Sequence, residues 1–169
     1  GLTQGVTAGR LRTLIDKKTL TSTSQRVGII CMQSARNVAS SGSGYLLRLS
    51  SNSTPGVYKF TSGLNGSHSL LAPGTFSPNP SQDEIFAIEL MWFYDNTEFG
   101  GTRLEARWDT SGSVTDFTGL SLTPDIETID TSSPLNSSLG EGLFYSDNGS
   151  GANAEILFDQ TTLYTVAFV

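Results

Sequence analysis

Residues 84–109 read EIFAIELMWFYDNTEFGGTRLEARWD and contain two stretches in which side chains of different kinds alternate. Successive side chains of a β-strand point to opposite sides, so every second residue shares a face. One face of the first stretch, 84–94, is entirely apolar or aromatic, and its members are Phe86, Ile88, Leu90, Trp92 and Tyr94. In the second stretch, 103–109, apolar residues alternate with charges of both signs. This period of two predicts an antiparallel pair of strands with a charged, solvent-facing row on the second.

The rest of the chain repeats this pattern, with clusters of Gly, Pro, Asn and Ser between short alternating stretches and no useful helical period. The candidate strands are 10–15, 26–33, 44–50, 56–61, 84–94, 103–109, 114–118, 126–130, 142–146, 154–158 and 162–169. We expect the last two strands to form a hairpin, and the segment 76–82 to be a proline-bent crossover. The fold class predicted is all-β, with residues 1–169 as a single domain. About ten short strands would form an antiparallel β-sandwich or a jelly-roll-like barrel.

The second face of strand 84–94 is too apolar to lie in water. Its members are Ile85, Ala87, Glu89, Met91 and Phe93. A two-sheet sandwich buries one face of each sheet, so something else must cover this one, either a segment of the same chain such as 64–80 or a second copy. Contiguous apolar patches usually mark contact sites. We expect coverage by a second copy, with Ile85, Met91 and Phe93 as self-association residues.

Charge is unevenly distributed along the chain, whose formal net charge is −6. Residues 1–60 carry a net charge of +7 with Asp16 as their one acid, whereas residues 61–169 carry −13. The early cations are spaced singly among apolar residues such as Leu11 and Leu14, unlike the Lys/Arg runs of a nucleic-acid arm. We therefore predict that the basic segment is folded into the sheets and paired with later acids, without specific nucleic-acid binding.

Residues that could carry catalysis or hold a metal are few. His68 and Cys31 are the one histidine and the one cysteine, too few for a zinc site, and no pattern places a third group to orient His68 as a base. We expect a turn at His68 and a core position at Cys31. The stretch SDNGSGAN (146–153) has glycines where a calcium loop needs Asp or Asn. DTSG (109–112) resembles an aspartic-protease loop, but the chain holds no second copy.

A pair of carboxyl groups on a β-sandwich can hydrolyse glycosides, so Glu89 with Glu105 or Asp109 is a further possibility. Neighbouring arginines of the charged row would keep these acids ionised, which disfavours a general acid. We therefore expect no enzyme activity, no cofactor and no metal. A carbohydrate-binding module or a small β-sandwich glycoside hydrolase is the alternative. Exposed aromatic platforms would favour it, and the candidate rings are Trp92, Tyr94 and Trp108.

Targeting features are sparse. No apolar run reaches the eighteen or so residues that a membrane helix needs, so we expect no membrane insertion. The chain starts at Gly1 without a methionine, and we expect a processed product or an excised part of a longer protein. Four Asn-X-Ser/Thr sequons occur, about two more than chance would give in so Ser/Thr-rich a chain, at Asn52, Asn65, Asn136 and Asn148.

The chain combines a composition rich in Ser, Thr, Gly and Asn with a pattern of short strands, and this combination resembles a known class of proteins. With units such as FAIELMWFYDNTEFGGTRLEARW (86–108) and the ending LYTVAFV (163–169), the chain resembles the protruding domain of capsid proteins from small icosahedral positive-strand RNA viruses. The nearest kinds are the nodavirus-like, tombusvirus-like and Lake Sinai virus-like capsids. The resemblance implies the C-terminal surface domain of a larger capsid protein, with the RNA-lining shell outside this chain.

The resemblance also implies a function at the virion surface. Such a domain forms a dimer or trimer within the capsid and binds a host receptor or glycan through its loops. The connection DNTEFGGT (95–102) is longer than a tight hairpin needs, and a second polar loop spans 146–153. The attachment residues predicted in these loops are Asn96, Glu98, Phe99, Asn148 and Asn153.

Overall fold

The computed structural model describes residues 8–19, 26–35, 40–50, 54–76, 84–111, 114–146 and 155–166. Within these ranges the chain forms ten β-strands and no helix, which confirms the predicted fold class. The strands are β1 (Ala8–Thr19), β2 (Arg26–Cys31), β3 (Gly44–Ser50), β4 (Gly56–Phe60), β5 (His68–Pro73), β6 (Glu84–Asp95), β7 (Gly101–Asp109), β8 (Ile126–Asp130), β9 (Gly142–Ser146) and β10 (Glu155–Val166). In this part of the chain no helix has the length and apolar character needed to cross a bilayer.

The strands form two five-stranded sheets that pack face to face as a β-sandwich. Sheet A has the order β10-β1-β6-β7-β8, and sheet B has the order β5-β4-β3-β2-β9. All neighbouring strands are antiparallel. Strands β2–β5 and β6–β8 are meanders, after which β9 returns beside β2 and β10 returns beside β1. Each sheet therefore needs segments from both ends of the chain.

The core lies between the sheets and is built from the alternating apolar positions, as expected for side chains that point to one side of a pleated strand. Sheet A contributes Leu11, Ile15, Phe86, Ile88, Leu90, Trp92, Leu104, Ala106 and Ile126. Sheet B contributes Val27, Ile29, Cys31, Tyr45, Leu47, Leu49 and Val57. Burial of this apolar surface, at about 25 cal/mol per Å², is the main force that holds the two sheets together.

Two predicted strand positions were wrong, and so was the predicted C-terminal hairpin. The segment 114–118 is not a strand: Asp116 accepts hydrogen bonds from the backbone N–H and the hydroxyl of Thr118, which favours a turn over an extended backbone. Strand β5 (His68–Pro73) was missed, because its residues are partly exposed and show no clean alternation.

The predicted hairpin of 154–158 and 162–169 is, over the described residues, the single strand β10. Both halves of β10 pair with β1, and the residues between them, Gln160 and Thr161, lie opposite the single residue Thr13. Gln160 has a left-handed φ of 49°, and the hydroxyls of Thr13 and Thr161 lie 2.9 Å apart. The DQTT signal therefore marks a β-bulge, which inserts a residue without reversing the strand.

Candidate functional site

The outer face of sheet A, which points away from the core, carries most of the residues that the sequence analysis singled out. Strand register arranges this face in rows that run across the sheet. The first row contains Ala8, Phe93, Arg103 and Ile129; the second Tyr164, Arg10, Met91, Glu105 and Glu127; and the third Thr162, Arg12, Glu89 and Arg107. Further along the strands lie Leu14, Ala87 and Ile85. The face thus has an apolar end, a charged belt and a second apolar end.

The second apolar end is covered by the same chain. Val114 is buried against Leu14 and Ala87, and its N–H donates to the carbonyl of Ile85 at 3.4 Å. Phe117 and other apolar side chains of the β7–β8 connection complete this cluster. Ile85, predicted as a self-association residue, is therefore half-buried against its own chain. At this end the expected coverage by a second copy was wrong, because the chain covers the face itself. The segment named as the alternative, 64–80, is not the one that does so: its described part, 64–76, contributes β5 to sheet B.

The first apolar end is an open groove with a volume of about 360 Å³. It is lined by Ala8, Gly9, Arg10, Met91, Trp92, Phe93, Arg103, Glu105 and Tyr164. Met91 and Phe93, the two other predicted self-association residues, are half-buried in it. A Cβ on Gly9 would lie 2.3 Å from the Trp92 ring, so the indole packs where only glycine leaves space.

The charged belt pairs cations with acids of the same strand and of neighbouring strands. Arg107 lies 3.2 Å from Glu89 and 2.6 Å from Glu105, and Arg10 lies 3.6 Å from Glu89. Arg103 contacts Glu105 at 2.7 Å and thereby extends the belt. The Arg10–Glu89 pair confirms, for this cation, that the basic early segment is neutralised by later acids.

Of the two predicted attachment loops, the structure describes the β6–β7 loop, whereas most of the second, 146–153, lies outside the described residues. In the β6–β7 loop, one carboxylate oxygen of Asp95 accepts from the backbone N–H groups of Thr97 and Glu98 at 2.6 and 2.9 Å. Asn96 and Glu98 are exposed, whereas Phe99 packs edge-on against Phe93 at the groove, with 5.7 Å between ring centroids. The other two predicted residues lie outside the described residues, and they are Asn148 and Asn153.

His68 has a packing role at the start of β5 rather than in a turn. Its ring lies 6.4 Å from Tyr58 and 6.1 Å from Phe60, centroid to centroid. Nε2 donates to the carbonyl of Leu64 at 2.9 Å, and Nδ1 lies 3.4 Å from Nη1 of Arg48. Because a guanidinium can only donate, Nδ1 must carry a lone pair, and the imidazole is neutral. Both ring nitrogens are thus occupied by structural contacts.

We expect this contact to make stability depend on pH. Burial lowers the pKa of His68, as does the charge of Arg48, although the Leu64 carbonyl opposes them. In the unfolded chain His68 has its ordinary pKa of about 6.5, so below that pH the unfolded state binds more protons than the folded state. The stabilisation is complete above that pH and is lost as the pH falls through the lower folded pKa. Urea unfolding should show a steeper loss of stability from neutral to acidic pH for the parent than for His68→Gln; equal slopes would contradict the assignment.

The remaining candidates occupy structural positions. Cys31 is buried in the core, and burial, with a smaller effect from Glu141, raises the pKa of its thiol. Asp109 accepts a hydrogen bond from the N–H of Ser111 at 3.0 Å and forms the turn after β7. Within the described ranges no three His, Cys, Asp or Glu side chains come together as a metal site would require.

A polar network between the sheets was missed by sequence reasoning. Nζ of Lys59 lies 2.7 Å from Oδ2 of Asp130 and also donates to the carbonyls of Ser132 and Ser133. The hydroxyl of Tyr45 donates to the same Oδ2 at 2.7 Å, and burial raises the pKa of that phenol. The sequence feature that could have indicated this network is a lysine, Lys59, inside the otherwise apolar strand GVYKF.

No family model matches the chain, and neither a search of curated proteins nor one of solved structures found a match. The outer face of sheet A carries two kinds of feature side by side. It combines an open apolar groove with a belt of paired charges and with arginines beside aromatic rings. Arg10, Arg12 and Tyr164, which sequence reasoning did not select as site residues, lie together on the β10–β1 side of this face because β10 returns beside β1.

Proposed function

We propose that this domain is a non-catalytic surface module that binds a second copy of itself through the apolar groove of sheet A. In this proposal it is the protruding domain of a small RNA-virus capsid protein, located at the virion surface, and its exposed loops bind a host receptor or glycan. The observation that carries the self-association is the groove containing Met91 and Phe93. The viral assignment is supported by the sequence resemblance.

A second copy fits the groove better than an unrelated partner would. The far end of the same face is partly covered by Val114 and Phe117 of the chain itself, whereas the groove at the near end is an open and mostly apolar patch. Its rim carries both signs of charge, with Arg10 and Arg103 beside Glu105. In an isologous pair each rim meets its own copy after a two-fold rotation, so cations of one copy can lie against acids of the other.

Two features of the structure support a non-catalytic function over the carbohydrate-active alternative. Trp92 is 2% exposed and Trp108 stacks on Phe76 with 6.0 Å between centroids, so neither indole is a free platform for a sugar. Glu89 and Glu105 both bind the guanidinium of Arg107. A glycosidase needs two carboxyl groups that face the substrate, whereas both of these are held by one guanidinium.

Replacing Met91 with Ser and Phe93 with Thr should weaken self-association at least about tenfold, because both side chains lose apolar contact with the second copy. Sedimentation velocity over a concentration series measures this. Leu70 and Leu139, 45% and 59% exposed and outside the groove, give the matched control when both are changed to Ser. That control should leave association unchanged.

A cooperative thermal melt of the Met91→Ser/Phe93→Thr variant should remain, since both residues lie on the outer face. Two results would contradict the proposal. One is a parent chain that stays monomeric at millimolar concentration. The other is a double variant that does not fold, which would place both side chains in the core.

A further inference from the structure

A second cavity lies next to the groove, in the charged belt of sheet A. Its volume is about 260 Å³, and its lining is rich in arginine. The lining residues are Arg10, Arg12, Glu89, Met91, Arg107, Phe117, Leu120, Ser121 and Leu122. Three guanidinium groups thus surround a cavity that has a single carboxylate in its wall. An excess of cations around a small cavity favours an anionic ligand.

The three arginines differ in how far their donors are used. Both terminal nitrogens of Arg107 are occupied, Nη1 by Glu89 and the sulfur of Met91, and Nη2 by Glu105 and the carbonyl of Leu122. A ligand therefore gains little from this guanidinium, whose function is to fix the two acids and the wall of the cavity.

Arg10 and Arg12 keep donors for a ligand. The guanidinium of Arg10 lies over the Tyr164 ring at 4.3 Å, and its contact with Glu89 is long, at 3.6 Å. Arg12 packs against Phe117 and Tyr164, and its Nη2 donates to the Tyr164 hydroxyl at 3.0 Å. Its Nε is buried without a hydrogen-bond partner. This nitrogen has no accessible surface, so a ligand in the cavity reaches Arg12 through the terminal nitrogens of its guanidinium.

We infer that this cavity binds the carboxylate of an acidic sugar, which deepens the attachment part of the proposed function and rests on it. Arg10 and Arg12 bind the carboxylate, since a guanidinium fork matches its two oxygens. Phe117 and Leu122, the latter 96% exposed, pack on the apolar face of the sugar ring. The hydroxyl of Ser121 is placed to bind a sugar hydroxyl.

The size and charge of the cavity favour a terminal acidic sugar over a polyanion. Ligand cavities usually hold roughly 300–1,000 Å³, so this one accepts about one sugar unit. The chain is acidic, with a net charge of −6, and Glu89 lies in the cavity wall. Both features repel a ligand that carries many phosphates, whereas a single carboxylate meets the two open guanidinium groups.

The test is an NMR titration of the full chain with sialyllactose, with lactose as the neutral probe and sulfated lactose as a second oxyanion. The expected result is a saturable shift of the Arg12 Nε–H resonance with sialyllactose, weakened by salt, and none with lactose. A guanidinium fork also matches a tetrahedral oxyanion, but sulfated lactose should bind more weakly, because the oxygens of a sulfate ester are weaker hydrogen-bond acceptors than those of a carboxylate.

Arg12→Gln should reduce sialyllactose affinity at least about tenfold, and Arg12→Lys should reduce it less, because lysine keeps the charge but not the fork. Arg26→Gln is the matched control, since it removes one charge from β2 of sheet B, away from both the cavity and the groove; the sialyllactose affinity of this variant should stay within about twofold. Thermal melts confirm that each variant is folded, and the Lys variant provides the comparison if the Gln variant unfolds.

Three outcomes would overturn this inference: equal binding of lactose and sialyllactose, parent-like affinity of Arg12→Gln and Arg12→Lys, or binding of the sulfated probe alone. Self-association is measured separately by sedimentation. A monomeric parent that binds sialyllactose through Arg12 would refute the self-association proposal and support this site. A parent that associates through Met91 and Phe93 without binding sialyllactose would support the self-association proposal and refute this site.

Discussion

Replacing Lys59 with Met is expected to lower the free energy of unfolding by about 3–5 kcal/mol, because the carboxylate of Asp130 is then buried without its cation. The two side chains are 10% and 3% exposed, and they join β4 of sheet B to β8 of sheet A. Urea unfolding followed by circular dichroism measures the loss. High salt should change the contribution of this pair to the free energy of unfolding very little, since buried charges are poorly screened.

A second variant separates the charge from the packing. Lys59→Met combined with Asp130→Asn removes both charges and keeps an oxygen for the Tyr45 hydroxyl, whose bond to Oδ2 is 2.7 Å long. The double variant should be more stable than Lys59→Met alone, which is the coupling expected of contacting residues. A loss below about 1 kcal/mol for the single variant would mean that Asp130 reaches water and that the network does not link the sheets.

Trp92→Ala is expected to cost about 3–5 kcal/mol, because truncating a fully buried aromatic side chain leaves a cavity that the sandwich cannot close. The indole packs on Gly9 of β1 and belongs to the core between the sheets. Denaturant titration measures the effect, with the midpoint falling and the slope unchanged.

Trp92→Phe is the matched variant for this position. Nε1 of Trp92 is buried without a hydrogen-bond partner, so phenylalanine loses volume but no hydrogen bond. It should cost clearly less than the alanine variant. If alanine at this position were tolerated within about 1 kcal/mol, Trp92 would have to be exposed, and the sugar-platform alternative would regain support.

The separation of charge along the chain is resolved by topology. Arg10 and Lys59, from the basic first part, pair with Glu89 and Asp130 from the acidic remainder. Arg12 behaves differently: none of the described carboxylates lies within ion-pair distance of it, and aromatic rings surround it. The proposed ligand site therefore depends mainly on Arg12, with Arg10 beside it, whose contact with Glu89 is long at 3.6 Å.

The amino-acid sequence by itself determined the class of fold and much of the strand set. Alternation in 84–94 and 103–109 fixes which residues face the core, because a strand has a period of two whatever its neighbours are. It also identified the apolar outer positions Met91 and Phe93, since an apolar residue on the second face is visible without knowing the fold. Local pattern failed at β5 and at 114–118, where exposure and a side-chain turn override alternation.

Only the tertiary structure decided which faces meet and what covers them. The cavity around Arg12 is lined by β1, β6, β7 and the β7–β8 connection, and Arg12 itself binds Tyr164 of β10, which is 152 positions away in the sequence. The Lys59–Asp130 pair likewise joins residues from different sheets. Period and propensity are local properties, whereas sheet order and cross-sheet contacts depend on how distant segments return to one another. The free energy of such contacts exists only once the whole sandwich has formed.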